Sequence, residues 1–201
     1  MRAEQARAVM GSLHQVEFGG QQLKWLYFLC GLAGSAMMAT GAILFMVKRR
    51  GKHLGRQAGE LGSATARVYR LVEGLNVAAI VGLSLGCIGY LWANRLVPVG
   101  LSHRASWELT VFFGLWSLAL LHALVRAPVV AWQEQLGLLA VLCLLLPLLN
   151  WITVGDSLPV QIARGDWERA GVELCAMALG LPAAWAWRYL RCRGCDAARR
   201  A

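Results

Sequence analysis

Charge is scarce in this chain, and acidic charge most of all. Its 201 residues hold eleven Asp and Glu against twenty Lys and Arg. Charged residues make up 15% of the total, where an average soluble domain carries about a quarter. No glycine-rich phosphate loop, serine–histidine–aspartate set or pair of carboxylates spaced for acid–base work occurs. That removes the commonest nucleotide-dependent, acyl-transfer and glycosidase chemistries. No internal repeat marks a transporter built from two halves, and no low-complexity segment occurs. The stretch before Gln21 lacks the apolar core of a cleavable signal peptide. The first apolar run is therefore expected to serve as signal and anchor together, or to be inserted by something upstream.

What the chain has in excess is apolar sequence, 58% of all residues. It is concentrated in five runs, at about 23–47, 71–93, 107–125, 136–154 and 170–189. A hydrocarbon core of ~30 Å is crossed by roughly 20 helical residues, so each run is long enough to span. Backbone cannot go unpaired in lipid, and the alternating pattern of a membrane barrel is absent. The fold class expected is an all-α polytopic membrane bundle: an external segment over 1–21, five spans over 22–190, and a basic tail over 191–201.

The net charge of +9 is explained by these spans and needs no nucleic acid. The first loop carries Lys48, Arg49, Arg50, Lys52, Arg56, Arg67 and Arg70; the tail carries Arg188, Arg191, Arg193, Arg199 and Arg200; the third loop carries Arg126. The alternate side holds Arg2, Arg7, Lys24, Arg95, Arg104, Arg164 and Arg169. Thirteen against seven places the N-terminus outside and the C-terminus in the cytoplasm by the positive-inside rule, and membrane lipids become the expected surroundings. Trp25, Trp92, Trp107, Trp151 and Trp187 lie near span ends, where amphipathic rings settle. The pairs Gly31/Ser35 and Gly82/Gly86 have the four-residue spacing of close helix contacts. Pro147 and Pro182 are expected to kink spans four and five.

Four histidines offer chemistry. His122 lies within the third span near its cytoplasmic end, and His14 lies just outside the first span. His103 falls in the second loop and His53 in the basic first loop. An ionisable side chain within a span is costly and a functional candidate, and neutral imidazole ligates haem iron. His122 and His14 are the candidate haem ligands, against the plainer roles of an interhelical hydrogen bond and an interfacial loop residue. Their depths differ too much for one iron, so two haems on opposite sides would each need a second axial ligand. Glu73 and Asn76 share His122's depth on span two. Glu73 is expected to accept a hydrogen bond from His122 and fix its tautomer, or else to pair with Arg70. Glu173, Asn150, Asn94 and Arg95 lie toward the outer side, lining a cavity or satisfying backbone and headgroups. Cys30, Cys87, Cys143 and Cys175 read as small buried hydrophobes. Cys192 and Cys195 form one C-x-x-C, short of the ligands of a zinc site.

Several strings together resemble the PepSY-associated transmembrane family. They are Leu13-His14 with Phe18-Gly19-Gly20, Leu26 to Ala33 with Thr40-Gly41 ahead of Lys48-Arg49-Arg50, Glu73 to Ala79, Tyr90 to Leu96, Trp107-Glu108, His122-Ala123 and Leu146 to Asn150. The likeness runs from Leu13 to Asn150. Two features depart from it: Val16 and Glu17 stand where the family often has glycine and a basic residue, and the usual preceding helix and PepSY domain are absent. The resemblance implies a bacterial inner-membrane protein that binds haem b, with His14 and His122 as ligands, and passes electrons to ferric siderophores in the periplasm. It also implies a PepSY-domain or extra-helix partner. The competing expectation is a non-enzymatic scaffold or assembly subunit beside a PepSY-containing or iron-transport protein.

Overall fold

The computed structural model describes residues 21–54 and 63–200, with side chains over 22–48 and 67–192. The described residues are almost wholly helical, and no strand occurs among them. In order, the elements are α1 (Gln21–Leu54), α2 (Ser63–Val77), a π-helical turn (Ala78–Gly82), α3 (Leu83–Leu96), α4 (Arg104–Val125), α5 (Pro128–Val154), a short α6 (Leu158–Arg164) and α7 (Trp167–Arg200). Five stretches are long and apolar enough to cross a membrane: Gln22–Lys48, Arg67–Leu96, Arg104–Val125, Pro128–Val154 and Trp167–Cys192. Each contains one of the runs expected from sequence.

The ends of these helices follow from local chemistry. Pro128 opens α5, where its missing N–H costs no helical bond. Gly155 (φ +80°) and Gly165 (φ +77°) close α5 and α6 in the left-handed region that favours glycine. The apolar run in the fourth span stops at Gln133-Glu134-Gln135, but the backbone continues as helix to Pro128. Polar side chains at a helix end can reach a headgroup or a neighbour without breaking the hydrogen-bond ladder. By the same logic α7 carries the basic tail as helix to Arg200. Both α5 and α7 run through their internal prolines.

The chain divides into two compact units, Met1–Ala58 and Gly59–Ala201. Within the first, α1 has exposed apolar side chains along its length, such as Leu32 and Met37. Its hydroxyls bond their own helix, Ser35 Oγ to Gly31 O at 2.8 Å and Thr40 Oγ1 to Ala36 O at 2.7 Å, the usual solution for hydroxyls in an apolar span. An added methyl at Gly31 meets nothing within 4 Å.

In the second unit α5 packs chiefly on α7, and α3 chiefly on α4. The core holds Val81, Leu85, Ile88, Leu139, Cys143 and Leu146. The small-residue face at Gly82 and Gly86 is used as expected. A Cβ on Gly82 would lie 3.0 Å from Ala119 Cβ, and one on Gly86 would lie 3.2 Å from the Phe112 carbonyl oxygen. Gly114 on α4 has open space around it. Gly86→Ala is therefore expected to lower stability by about 1 kcal/mol, because backbone must yield. Gly114→Ala should raise it by up to about 1 kcal/mol through helix propensity alone. Thermal unfolding in detergent checks both.

The π-helical turn redirects one carbonyl. Ala78 O accepts both the Leu83 N–H, five residues on, and the Trp116 indole N–H at 3.0 Å. This stitches α4 to the helix break. A second indole, Trp92, donates to Leu142 O on α5 at 3.1 Å. Neither bond is visible in a hydropathy profile.

Candidate functional site

Polar side chains in the four-helix unit gather at its two ends. The end bearing residues 125–128 and the start of α2, called the basic end here, holds His122. This residue lies three positions from the end of α4, about 4.5 Å at 1.5 Å per residue. Its Nε2 lies 2.6 Å from Glu134 Oε2 and its Nδ1 lies 3.3 Å from Gln135 Nε2. Glu134 and Gln135 are successive residues of α5, so one turn of that helix grips both edges of the ring.

The hydrogen-bond pattern fixes the roles. Gln135 Nε2 also donates to Ala119 O at 2.7 Å, which only the amide nitrogen can do, so the amide orientation is set. Its second hydrogen points at His122 Nδ1, making that nitrogen an acceptor. The ring proton is then on Nε2 and is donated to Glu134. Arg126 Nη2 holds the other carboxylate oxygen of Glu134 at 3.3 Å, and the Arg70 guanidinium donates to Val125 O at 3.1 Å. Val77, Ala123 and Ala131 lie buried beneath this layer.

This geometry bears on iron. An imidazole whose Nε2 donates to a carboxylate and whose Nδ1 accepts from an amide offers no free lone pair to a metal. No second histidine lies nearby among the described residues. His103, at the start of α4, is nineteen residues from His122, about 28 Å along the helix. The apolar groove between α3 and α4, of about 420 Å³, is lined by Cys87, Tyr90, Leu91, Leu109, Phe112 and Phe113 and contains no histidine. As bonded here, His122 presents both ring nitrogens to α5 rather than to a metal. No group of three or more His, Cys, Asp or Glu able to hold a metal occurs among the described residues.

Glu134 takes the place beside His122 that the sequence reading gave to Glu73. The reason is register: α5 begins eight residues earlier than its apolar run, which brings polar residues level with the end of α4. Glu73 and Asn76 are half-buried on α2. Gly74 between them abuts Ala123 and Leu124, so they share the layer without supplying the hydrogen bonds described for His122. His14 lies outside the described residues, as does the side chain of His53. Cys192 is exposed at the far end of α7, one helical turn before Cys195.

The opposite end holds two arrangements. Glu108, 6% exposed, accepts from Asn94 Nδ2 at 3.0 Å and forms an ion pair with Arg104, whose Nε lies 3.0 Å away. The Arg104 guanidinium also bonds the Asn94 carbonyl. This closes the α3–α4 loop, with His103 in the left-handed region at φ 63°. The second arrangement joins Asn150, Glu173 and Gln161 across α5, α7 and α6. Asn150, Glu173 and Asn94 were candidates from sequence, whereas Gln161, Gln135, Glu134 and Glu108 were not. A hydropathy reading treats a lone Gln or Glu near a span end as headgroup-facing.

The basic-end layer is partly exposed, with His122 and Glu134 side chains at 33% and 41%. Glu134→Gln is accordingly expected to cost no more than about 1 kcal/mol, measured as a small fall in melting temperature.

No curated protein and no solved structure matches the chain. A protein-family model does match, over residues 1–48. The stretch that holds His14 and most of α1 is thus similar to the PepSY-associated TM region, and the five apolar helices make the chain a multi-pass membrane protein.

Proposed function

We propose that the chain is a non-enzymatic membrane subunit whose helices pack beside a PepSY-containing or iron-transport partner in a bacterial inner membrane. The observation that carries this reading is the state of His122. Its Nε2 is bonded to Glu134 at 2.6 Å, so the residue best placed to be a redox centre serves to join α4 to α5. The same holds for Glu108, which joins α3 to α4 through Asn94 and Arg104. The excess of Lys and Arg on loops one and three and the tail supports an N-out, C-in orientation.

The match over residues 1–48 favours a second reading. That stretch contains Leu13-His14 and Phe18-Gly19-Gly20. In this reading the protein serves ferric-siderophore reduction, with haem b held at His14 and a second axial ligand from a partner helix.

One preparation separates the two. The full chain is expressed in bacteria supplied with haem, cross-linked in the membrane and purified. The subunit reading expects a heavier cross-linked species containing a second polypeptide, and no Soret absorption. A Soret band that shifts on reduction with dithionite would overturn it in favour of the electron conduit.

A further inference from the structure

Where α6 meets α5 and α7, two amides share one carboxylate oxygen. Asn150 Nδ2 donates to Glu173 Oε1 at 2.9 Å, and Gln161 Nε2 donates to the same atom at 3.0 Å. All three residues are buried: Glu173 is 1% exposed, Asn150 5% and Gln161 5%. Their remaining oxygens, Glu173 Oε2, Asn150 Oδ1 and Gln161 Oε1, are buried without a hydrogen-bond partner.

All three orphan atoms are acceptors. Turning either amide over would set its oxygen against the carboxylate, so the amide orientations are fixed by Glu173 itself. The three orphan oxygens thus belong to three residues that meet at Glu173 Oε1. The two arginines on α6 and α7 at this end are engaged elsewhere. Arg164 Nη1 bonds Asp156 at 2.8 Å, and Arg169 lies 3.9 Å from Asp156 and 3.4 Å from Asp166. A carboxylate buried in a span with only neutral donors is an expensive arrangement, and such residues mark ion or proton sites.

The chemistry of the cluster selects its ligand. Carboxylate and amide oxygens suit hard cations. The single negative charge is balanced by one positive charge; a divalent ion would leave a net charge in a low-dielectric setting. Anions find no donor here. We propose that Glu173, Asn150 and Gln161 form a binding site for one monovalent cation, a proton or Na⁺. A proton on Oε2 would turn that atom into a donor toward an amide oxygen. A sodium ion would take its ligands from the orphan oxygens. The charged groups nearest the site on the surrounding elements are Asp156 before α6, Arg164 on α6, Asp166 before α7, and Glu168 and Arg169 on α7.

Dicyclohexylcarbodiimide, which attacks protonated carboxyls in apolar surroundings, tests the site in the intact chain. Labelling of Glu173 is followed by peptide mass spectrometry across pH, in NaCl or choline chloride at equal ionic strength. Glu173 should be modified. With Na⁺ as the occupant, labelling in NaCl is several-fold slower than in choline chloride. With a proton alone, the two salts agree and labelling falls about tenfold per pH unit above the titration midpoint. In parallel, the melting temperature of the wild type should follow Na⁺ or pH in a way that E173Q does not. Absence of labelling at every pH, or a rate indifferent to both salt and pH, overturns the proposal. If E173Q does not fold, the labelling of the unaltered chain decides.

Discussion

Gly180→Val is expected to destabilise the four-helix unit by about 3 kcal/mol, at the upper end of overpacking costs. A Cβ at this position would lie 2.7 Å from Cys143 Cβ and 3.3 Å from Leu144 Cγ. The first contact is with an atom fixed to the α5 backbone, so no rotamer change relieves it and the helices must separate. Gly180 lies at the centre of the α5–α7 pairing, beside the fully buried Cys143 and near Leu146. For a chain of this length, 3 kcal/mol corresponds to a fall of about 6–12 °C in melting temperature. Gly171→Val, on the same helix with nothing within 4 Å of its Cβ position, serves as the control and should differ little from wild type.

Asn150→Leu is expected to destabilise by about 1–2 kcal/mol, and the physical reason limits the size. It removes one of the two donors to Glu173 Oε1 while leaving the carboxylate buried. In a soluble core the loss of a donor to a charged group costs up to about 3 kcal/mol. In a bilayer the unfolded spans find other partners, and measured interhelical hydrogen bonds average about 0.6 kcal/mol with a maximum near 1.7. The buried carboxylate, left with Gln161 as its one donor, pushes this case toward the upper bound. The pairwise test is sharper than the single variant. Adding Glu173→Leu to Asn150→Leu removes the carboxylate together with its donor, and replacing a whole buried polar set by apolar residues is often neutral or stabilising. Gln161 then keeps its bond to Asp156 O at 3.4 Å. The double variant should therefore melt at or above the temperature of Asn150→Leu alone. A double variant that is less stable by the sum of two losses would show that the three residues do not act as one unit.

The helices and their approximate limits were legible in sequence because lipid imposes a single solution on long apolar runs. The Gly82/Gly86 face was legible because close helix approach leaves a spacing of four. What escaped was the matching of polar residues between helices. His122 was recognisable as a candidate from its place in a span. Its partner Glu134 was not, because the run 128–135 reads as loop when hydrophobicity is the only measure. Gln161 escaped because a seven-residue helix between two spans has no periodicity to detect. The π-helical turn at 78–82 is equally silent, since Ala78 to Gly82 is an ordinary apolar stretch. Pairing between helices depends on relative rotation and register, which a single sequence does not encode as a local pattern.

His122 acts as a structural imidazole, its Nε2 bonded to Glu134 and its Nδ1 to Gln135. Nitrogen-15 spectra of histidine-labelled protein, compared with Glu134→Ala, test it most directly. The expected result is a deshielded Nε2–H proton for His122 that moves or vanishes in the variant. A His122 signal broadened by a paramagnetic iron and unaffected by Glu134→Ala would contradict the claim.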